Sequence, residues 1–191
     1  MPVLLEALAD LRRRFALSVV LATPGGFRAH AGLATFKERI QALSIQIVEN
    51  ETWDCIGHAD LALAASGTVT VEAAILGTPM VTFYKVTPAS WWAGRRLVKV
   101  PFFSMVNLIA EREIVPELIQ QDMTPAKISA AAEQLLTRPG RADRMRSDLA
   151  GVRLALTREG DPFERAADLI AETCGVRSAP APAGLIRPAD V

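Results

Sequence analysis

Apolar residues follow two alternating periods along the first half of the chain. Residues 3–14 carry Leu and Ala at helical spacing, whereas residues 17–22 form a short apolar run that ends at a Thr-Pro-Gly-Gly turn. The same change recurs further on, where helical spacing over 30–43 is followed by an alternating segment at 44–48. This pattern predicts that helices and strands alternate from the start of the chain.

The alternation continues through the next segments. The sequence predicts a short helix over 52–57, a strand over 60–64, a helix that ends at the Gly-Thr-Pro of 77–79, and a buried strand over 80–84. Strands that alternate with helices at this spacing form a parallel sheet covered by helices on both faces. The fold class predicted is therefore α/β, with a doubly wound parallel sheet.

Helical spacing dominates the second half of the chain. Helices are predicted over 88–99, 115–120, 125–136, 141–156 and 162–174. The closing segment is rich in Pro and Ala and has no amphipathic pattern, which is typical of disorder. We therefore predict one domain over residues 1–176, with C-terminal helices, and a disordered tail over 177–191.

Composition excludes several function classes. Basic and acidic residues number 21 each, so no net charge attracts nucleic acid. The first residues lack the basic region and long apolar stretch of a secretory signal, and the apolar stretch over 61–84 is interrupted by Glu72, Gly and Pro. We expect a cytoplasmic protein without a transmembrane helix. The two histidines have no partners at metal-ligand spacing, so surface or capping roles are expected for them and no metal site is predicted.

The most informative segment about function is the Ser-Gly-Thr of 66–68, which follows a predicted strand and opens a helix. Open α/β sheets bind ligands at this edge. Gly67 allows close backbone approach, Ser66 and Thr68 offer hydroxyls, and the free N–H groups of the first helical turn favour a phosphate or diphosphate. Glu72, one turn further on, has a carboxylate suited to sugar hydroxyls. The alternative is a simple helix cap with a solvated Glu72, and the position of the motif in the sheet favours phosphate binding.

Aromatic and cationic side chains are interleaved after the last predicted strand. On a helix, Trp92, Arg96 and Lys99 share one face, while Trp91 and Arg95 share the next. Indole rings beside cations suit a bilayer interface with anionic headgroups. The same pattern fits tryptophans in the core or in a subunit contact with the cations reaching solvent, so spacing alone leaves both interpretations open.

A third segment contains Asn107, Pro116 and Gln120. Asn107 favours a loop, Pro116 suits the first turn of a helix, and Gln120 is expected to point back toward the crevice. Taken alone, these residues are ordinary loop and cap residues, and the local sequence assigns them no chemistry.

Taken in order, these segments resemble the C-terminal donor-binding domain of the lipid-A-disaccharide synthase family, a glycosyltransferase family with the GT-B fold. The matching features are Ala-Ser-Gly-Thr followed by Glu72, Pro79-Met80-Val81, Arg96-Leu-Val-Lys-Val100, Ser104 with Asn107-Leu108, and Val115-Pro116-Glu117 with Gln120. The resemblance extends from the first helix to Cys174. It departs at Met105-Val106, where the family has Leu-Pro, and at Glu111, where the family usually has Gly.

The resemblance implies the Rossmann-like half of a GT-B fold that binds UDP-2,3-diacylglucosamine without a metal or cofactor. The residues implied for UDP-sugar binding are Ser66, Gly67, Thr68, Glu72, Asn107 and Gln120. The activity implied is inverting transfer of the acylated glucosamine to 2,3-diacylglucosamine 1-phosphate, forming lipid A disaccharide and releasing UDP. A diacylated substrate favours the membrane interpretation, at the cytoplasmic face of the inner membrane. The residues implied for that interface are Trp91, Trp92, Arg95, Arg96 and Lys99.

The family's N-terminal acceptor domain and the first strand of its donor domain, with a Pro-Gly-Ser-Arg turn, have no counterpart in this sequence. The resemblance assigns the general base to that N-terminal half, so no catalytic residue is assigned here. A separate acceptor domain and a second copy of this chain are the protein partners considered. The sequence alone leaves two alternatives open: another UDP-sugar enzyme of this fold, such as an epimerase, and a non-catalytic interaction module.

Overall fold

The computed structural model describes residues 1–87, 90–92, 100–157 and 161–175. Helices and strands alternate in the first half of the chain, so the predicted α/β class is confirmed. The helices are α1 (Pro2–Arg14), α2 (Ala31–Ala34), α3 (Lys37–Ala42), α4 (Thr52–Gly57), α5 (Thr68–Leu76), α6 (Met105–Ala110), α7 (Pro125–Thr137), α8 (Pro139–Thr157) and α9 (Pro162–Thr173). The strands are β1 (Val20–Thr23), β2 (Gln46–Glu49), β3 (Ala62–Ala65), β4 (Met80–Tyr84) and β5 (Glu117–Ile119).

The chain divides into two compact units, Met1–Ala155 and Leu156–Val191. The first unit contains all the strands named above. In the second unit, α9 begins at Pro162 because the Asp161 carboxylate caps it, accepting a hydrogen bond of 2.8 Å from the Phe163 N–H. The predicted tail over 177–191 lies outside the described residues.

The strands form two parallel sheets. In the first, β1 pairs with β2, with Val20 opposite Gln46. In the second, the order is β3-β4-β5, with Ala62 opposite Met80 and Thr82 opposite Glu117. The sequence pattern predicts one doubly wound sheet, whereas among the described residues no strand pairs with both sheets. Periodicity indicates that a strand is apolar on its faces, but not which strand lies beside it.

The main hydrophobic core surrounds the three-stranded sheet. Its most buried members are Ala73, Met80, Val81, Val106, Val115 and Leu149. A second, smaller cluster beside β2 contains Leu5, Leu33 and Ile40. Burying one such side chain stabilises the fold by about 1.5–3 kcal/mol. The three-stranded sheet is therefore the more extensively packed of the two, and it carries the candidate site.

Glycines stand at both ends of α5, the helix that follows β3. Gly77 adopts the left-handed conformation, with a φ of 74°, which ends the helix without the steric cost that a side chain would add. Gly67 precedes the helix in an extended conformation and provides no side-chain cap. Thr70, Ala73 and Ala74 are buried, so the helix is held on the sheet while its amino end lies at the sheet edge.

Two predicted elements are wrong. Residues 115–120 do not form a helix: Glu117–Ile119 is strand β5, and a 3₁₀ turn follows at Gln120–Asp122. Short apolar runs fit a strand or a helix equally well, and pairing with β4 decides between them. Asn107, predicted in a loop, lies in the first turns of α6.

Other boundaries shift by a few residues. The predicted helix over 30–43 is divided into α2 and α3, with the break at Thr35 and Phe36, two residue types of modest helix propensity. The strand predicted at 17–22 occurs at β1, Val20–Thr23. Of the helix predicted over 88–99, only residues 90–92 are described, and they are helical.

Candidate functional site

The carboxyl ends of β3, β4 and β5 meet at one edge, because the three strands are parallel. β3 runs directly into Ser66, and β5 runs directly into Gln120. The structure therefore brings the Ser-Gly-Thr turn and Gln120 to the same edge of the sheet. This is the edge at which open α/β sheets bind ligands.

The amino end of α5 carries no side-chain cap and no acidic residue in its first turn. The Thr70 hydroxyl and the Thr70 N–H both donate to the Gly67 carbonyl, at 2.7 and 3.1 Å. Among the described residues, no side chain accepts from the N–H groups of Thr68 and Val69, and Thr68 is exposed. Backbone N–H groups and the positive end of the helix dipole can therefore receive an anion here.

Gly67 leaves open space beside this helix end. A Cβ atom built on Gly67 meets only the Ala65 carbonyl oxygen, at 3.9 Å, which is ordinary van der Waals contact. Its φ of 166° is extended backbone that any residue adopts. The fold itself therefore does not require glycine at this position, which leaves close approach by a ligand as a physical reason for it.

Ser66 joins the turn to a second loop. Its hydroxyl donates to the Phe103 carbonyl at 2.8 Å, and its N–H donates to the Phe83 carbonyl at 2.8 Å. The Ser66 oxygen can still accept a hydrogen bond while its hydroxyl donates one. The predicted site residue thus also ties the β3–α5 turn to the segment that precedes α6.

Glu117 organises that segment, a role in the site that its local sequence does not predict. Its Oε2 accepts from the Phe103 N–H at 2.8 Å, and its Oε1 accepts from the N–H and hydroxyl of Ser104 at 2.9 and 2.8 Å. The same Oε1 accepts from Asn107 Nδ2 at 2.8 Å. A carboxylate at the start of an otherwise apolar strand is the sequence signal that could have identified it.

Asn107 is fully buried, and its amide is fully used inside the protein. Its Oδ1 accepts from the N–H groups of Ile114 and Val115, and its Nδ2 donates to the Val115 carbonyl and to Glu117. These bonds hold the loop between α6 and β5. Direct contact with a sugar stays a prediction, and the contacts made here favour a positioning role for Asn107.

Gln120 fixes the loop after β4. Its Oε1 accepts from the Val86 N–H at 2.9 Å and its Nε2 donates to the Val86 carbonyl at 3.2 Å, so the side chain extends the pairing of β4 with β5. The Gln120 backbone is left-handed, with a φ of 51°, a strained conformation for a residue other than glycine. The two bonds to Val86 offset this cost.

Glu72 lies one turn along α5 from Thr68, on the same face of the helix. It is half-buried, and its carboxylate makes no hydrogen bond or ion pair with the part of the chain that the structure describes. An acceptor without a protein partner, beside an uncapped helix end, can bind hydroxyl donors of a ligand.

The membrane-interface prediction can be placed only in part. Trp91 is half-buried and packs on Phe103, with ring centroids 5.6 Å apart, whereas Trp92 is 60% exposed. Arg95, Arg96 and Lys99 lie outside the described residues. Exposed apolar side chains continue nearby in sequence, at Val100, Phe103, Met105 and Leu108.

Other features of the described residues lie away from this edge. His30 caps α2 by accepting from the Gly32 N–H at 3.1 Å, and His58 is exposed, which confirms the capping and surface roles predicted for them. One surface cavity of about 420 Å³ lies between α1 and α7, and another of about 530 Å³ lies beside α3 and β2.

Within 1–87, 90–92, 100–157 and 161–175, no group of three or more His, Cys, Asp or Glu side chains could hold a metal ion. Over the same ranges, no helix is long and apolar enough to cross a bilayer.

Comparisons with known proteins agree over most of the chain. Residues 3–161 match the family model described as lipid-A-disaccharide synthetase. The lipid-A-disaccharide synthase of Solibacter usitatus is 51% identical over 162 residues, which cover 84% of this chain and 42% of the relative. That of Geobacter sulfurreducens is 32% identical over 174 residues, covering 91% and 45%. That of Syntrophotalea carbinolica is 37% identical over 132 residues, covering 69% and 33%. The chain thus spans less than half the length of these relatives.

Proposed function

Because this chain belongs to the lipid-A-disaccharide synthase family, we propose that it supplies the UDP-sugar-binding half of an inverting glycosyltransferase. The reaction proposed transfers 2,3-diacylglucosamine from UDP to 2,3-diacylglucosamine 1-phosphate, which forms lipid A disaccharide. The observation that carries the proposal is the uncapped amino end of α5, with Glu72 beside it, at the carboxyl edge of the three-stranded sheet.

The diphosphate of the donor binds the N–H groups of Thr68 and Val69 in this proposal. Two features support it: no side chain of the described ranges caps these groups, and the first turn contains no acid that would repel an anion. The open space at Gly67 lets a phosphate approach the backbone. As the glycosidic bond breaks, negative charge grows on the leaving UDP, and fixed N–H dipoles stabilise that charge without having to reorient.

Glu72 accepts hydrogen bonds from hydroxyl groups of the nucleotide sugar, with the ribose as the proposed contact. The support is its position one helical turn from Thr68 and the absence of a partner among the described residues. Hydrogen bonds to a charged group contribute about 1.5–3 kcal/mol each. Glu72 is therefore expected to carry a measurable part of the affinity.

Asn107 and Gln120 support the site as positioning residues in this proposal. Asn107 and Glu117 hold the segment whose Phe103 carbonyl accepts from Ser66, and Gln120 holds the loop that leads toward Trp91. The side chains of Asn107 and Gln120 are buried and already bonded within the protein. Their effect on binding is thus transmitted through the loops that they fix.

The other half of the enzyme supplies the acceptor site and the general base. The chain matches only 42% of the Solibacter usitatus relative and 45% of the Geobacter sulfurreducens relative, which supports a catalytic site completed by further polypeptide. On this proposal, turnover requires the acceptor half, whether joined to this chain or separate. Binding of UDP alone does not require it.

The exposed apolar side chains near Trp92 contact the membrane surface that holds the acylated substrates, at the cytoplasmic face of the inner membrane. Met105 and Leu108 project from one face of α6, and Phe103 packs on Trp91, so these side chains belong to neighbouring segments. Aromatic and aliphatic groups on a surface of this kind suit the boundary between headgroups and acyl chains.

The first experiment is calorimetric titration of the protein with UDP and with uridine. We expect saturable heat with UDP and at least about tenfold weaker binding of uridine, since each tenfold step corresponds to 1.4 kcal/mol of lost phosphate interaction. Glu72→Ala should weaken UDP binding by about tenfold or more. Glu113→Ala is the matched control, because Glu113 is exposed and has no partner among the described residues. The absence of saturable heat when wild-type protein is titrated with UDP would refute the proposal.

Sedimentation with vesicles tests the membrane surface separately. Trp92→Ala should reduce binding to vesicles that contain anionic lipid, whereas Trp53→Ala should leave it unchanged. Trp53 is a suitable control because it is 48% exposed, comparable to Trp92, but lies on α4. Equal losses from the two variants would contradict a specific role for Trp92.

A further inference from the structure

A groove along the outer edge of β2, called here the β2 groove, lies on a different sheet from the candidate site. It has a volume of about 530 Å³ and is lined by residues of the 3₁₀ turn Phe27–Ala29, of α2 and α3, and of the β2 strand. The candidate site belongs to the three-stranded sheet, whereas β2 pairs only with β1 among the described strands. A cavity of this size is within the range of small-molecule sites, so the groove is a second place at which a ligand can bind.

The floor of the β2 groove is aliphatic. Leu33 and Ile40 are buried at its base, and Ile45 and Ile47 are half-buried beside them. All four belong to the small cluster that contains Leu5 or pack against it, so the core holds the floor in place. Covering such a surface with an alkyl chain removes apolar area from water, which is favourable. The floor therefore suits a hydrocarbon chain rather than a sugar or a phosphate.

The rim of the β2 groove carries cations and a hydrogen-bond donor. Lys37 is exposed and has no partner among the described residues. His30 Nδ1 accepts a backbone N–H at 3.1 Å, so the neutral ring carries its proton on Nε2 and can donate there. Arg28 donates to the Ile47 carbonyl, and its Nε lies 3.9 Å from Glu49 Oε2, so its charge is only partly compensated. None of the described residues that line the groove is acidic, which favours an anionic head group at this rim.

The edge of β2 that faces the groove is already occupied. Ile45 and Ile47 direct their backbone groups away from β1, because the N–H of Gln46 between them donates to β1. The Ile45 N–H donates to the Ile40 carbonyl at 3.0 Å, and the Ile47 carbonyl accepts from the Arg28 guanidinium. A peptide strand could add to this edge only by displacing both contacts. The groove therefore fits a ligand that binds without pairing to the backbone.

We propose that the β2 groove binds a single-chain amphiphile with an anionic head group, namely a medium-chain fatty acid. The carboxylate binds Lys37 and the His30 ring at the rim, and the alkyl chain lies over Leu33, Ile40 and Ile47. The chain supplies most of the affinity through apolar burial, and the charged hydrogen bonds at the rim fix its orientation. This inference uses no residue of the UDP-sugar site and does not rest on the proposed function.

A series of ligands tests the chain and the head group separately. The protein is titrated in a calorimeter with octanoate, decanoate and dodecanoate, each below the concentration at which it forms micelles. Each further methylene that the groove buries should tighten binding about fourfold. Decanol, which lacks the charge, should bind about fivefold more weakly than decanoate. Affinity that does not depend on chain length, or decanol that binds as tightly as decanoate, would overturn the proposal.

Two pairs of variants test whether binding occurs in the groove. Ala34→Glu places a carboxylate at an exposed position of the groove and should weaken decanoate binding about tenfold or more. Ala42→Glu is the matched control, because Ala42 is also exposed at the last position of its helix but does not line the groove. Lys37→Gln should weaken decanoate binding about fivefold and leave decanol binding unchanged. Lys85→Gln should change neither, because Lys85 is exposed, lies outside the groove and has no partner among the described residues.

Nuclear magnetic resonance of labelled methyl groups identifies the bound position directly. Decanoate should shift the methyl resonances of Leu33, Ile40 and Ile47 but not those of Ile114, which lies in the core around the three-stranded sheet. Shifts spread equally over both cores, or equal losses of affinity from Ala34→Glu and Ala42→Glu, would overturn the proposal. The titrations contain no nucleotide, so their outcome is independent of UDP binding.

Discussion

Replacing the Glu117 carboxylate is expected to loosen the loop that supports the candidate site. The carboxylate accepts from the Phe103 N–H, from the N–H and hydroxyl of Ser104, and from the Asn107 amide, all between 2.8 and 2.9 Å. Ser104 and Asn107 are fully buried, so water cannot replace the lost acceptor for them. The substitution therefore leaves donors unsatisfied in the protein interior.

The magnitude follows from which bonds each variant keeps. Glu117→Gln retains one oxygen, loses the charge and turns an NH₂ group toward a donor. This should lower the free energy of unfolding by about 1.5 kcal/mol. Glu117→Ala removes the acceptor for every donor in the set, for a cost of about 3 kcal/mol. A loss of 1 kcal/mol lowers the melting temperature of a chain of this size by about 2–4 °C, so the alanine variant should melt about 6–12 °C lower.

Urea denaturation followed by circular dichroism measures the loss in free energy of unfolding for each variant, and thermal denaturation measures the change in melting temperature. Glu113→Gln and Glu113→Ala are matched controls, because Glu113 is exposed and unbonded among the described residues, and they should change stability by less than about 0.5 kcal/mol. The Glu117 variants should also bind UDP less tightly, since Phe103 and its contact with Ser66 lose their support. If the Glu117 variants were as stable as the Glu113 controls, the carboxylate would not hold this loop.

Three further outcomes are expected. Gly67→Ala should change the melting temperature by less than about 2 °C, because the new Cβ meets only the Ala65 carbonyl oxygen. The same variant should bind UDP about tenfold less tightly in calorimetry. Unchanged affinity would contradict close approach of a phosphate to Gly67. Glu111→Gly should stabilise the protein by about 0.5–1 kcal/mol in urea denaturation, because Glu111 ends α6 with a φ of 53°; a destabilised variant would show that the Glu111 side chain matters more than its backbone. The Ser129 hydroxyl, followed by nearby arginines, lowers the pKa of Asp10 below its usual 3.8. The contribution of Asp10 to stability is therefore fully present above pH 3.8 and is lost as pH falls through the lower pKa of the folded state. Between pH 5 and pH 3, the free energy of unfolding should therefore fall less for Asp10→Asn than for wild type.

The sequence by itself determined the elements whose signals are local. Helical spacing predicted α1, and the Gly-Thr-Pro of 77–79 predicted the end of α5. The apolar run of β4, bounded by Pro79, fixed that strand. Because a strand followed by Ser-Gly-Thr and a helix must turn at the carboxyl edge of a parallel sheet, the position of Ser66 and Glu72 also followed from local order.

Only the tertiary structure decided the rest of the candidate site. β5 is a strand because β4 offers it a parallel partner, and its local period does not distinguish it from a helix. Asn107 and Gln120 bind backbone groups 7 to 34 positions away in sequence, and Glu117 collects donors from the segment before α6. Side-chain spacing within a helix or strand reports which face is apolar, but a hydrogen-bond partner on another segment exists only after the chain has folded.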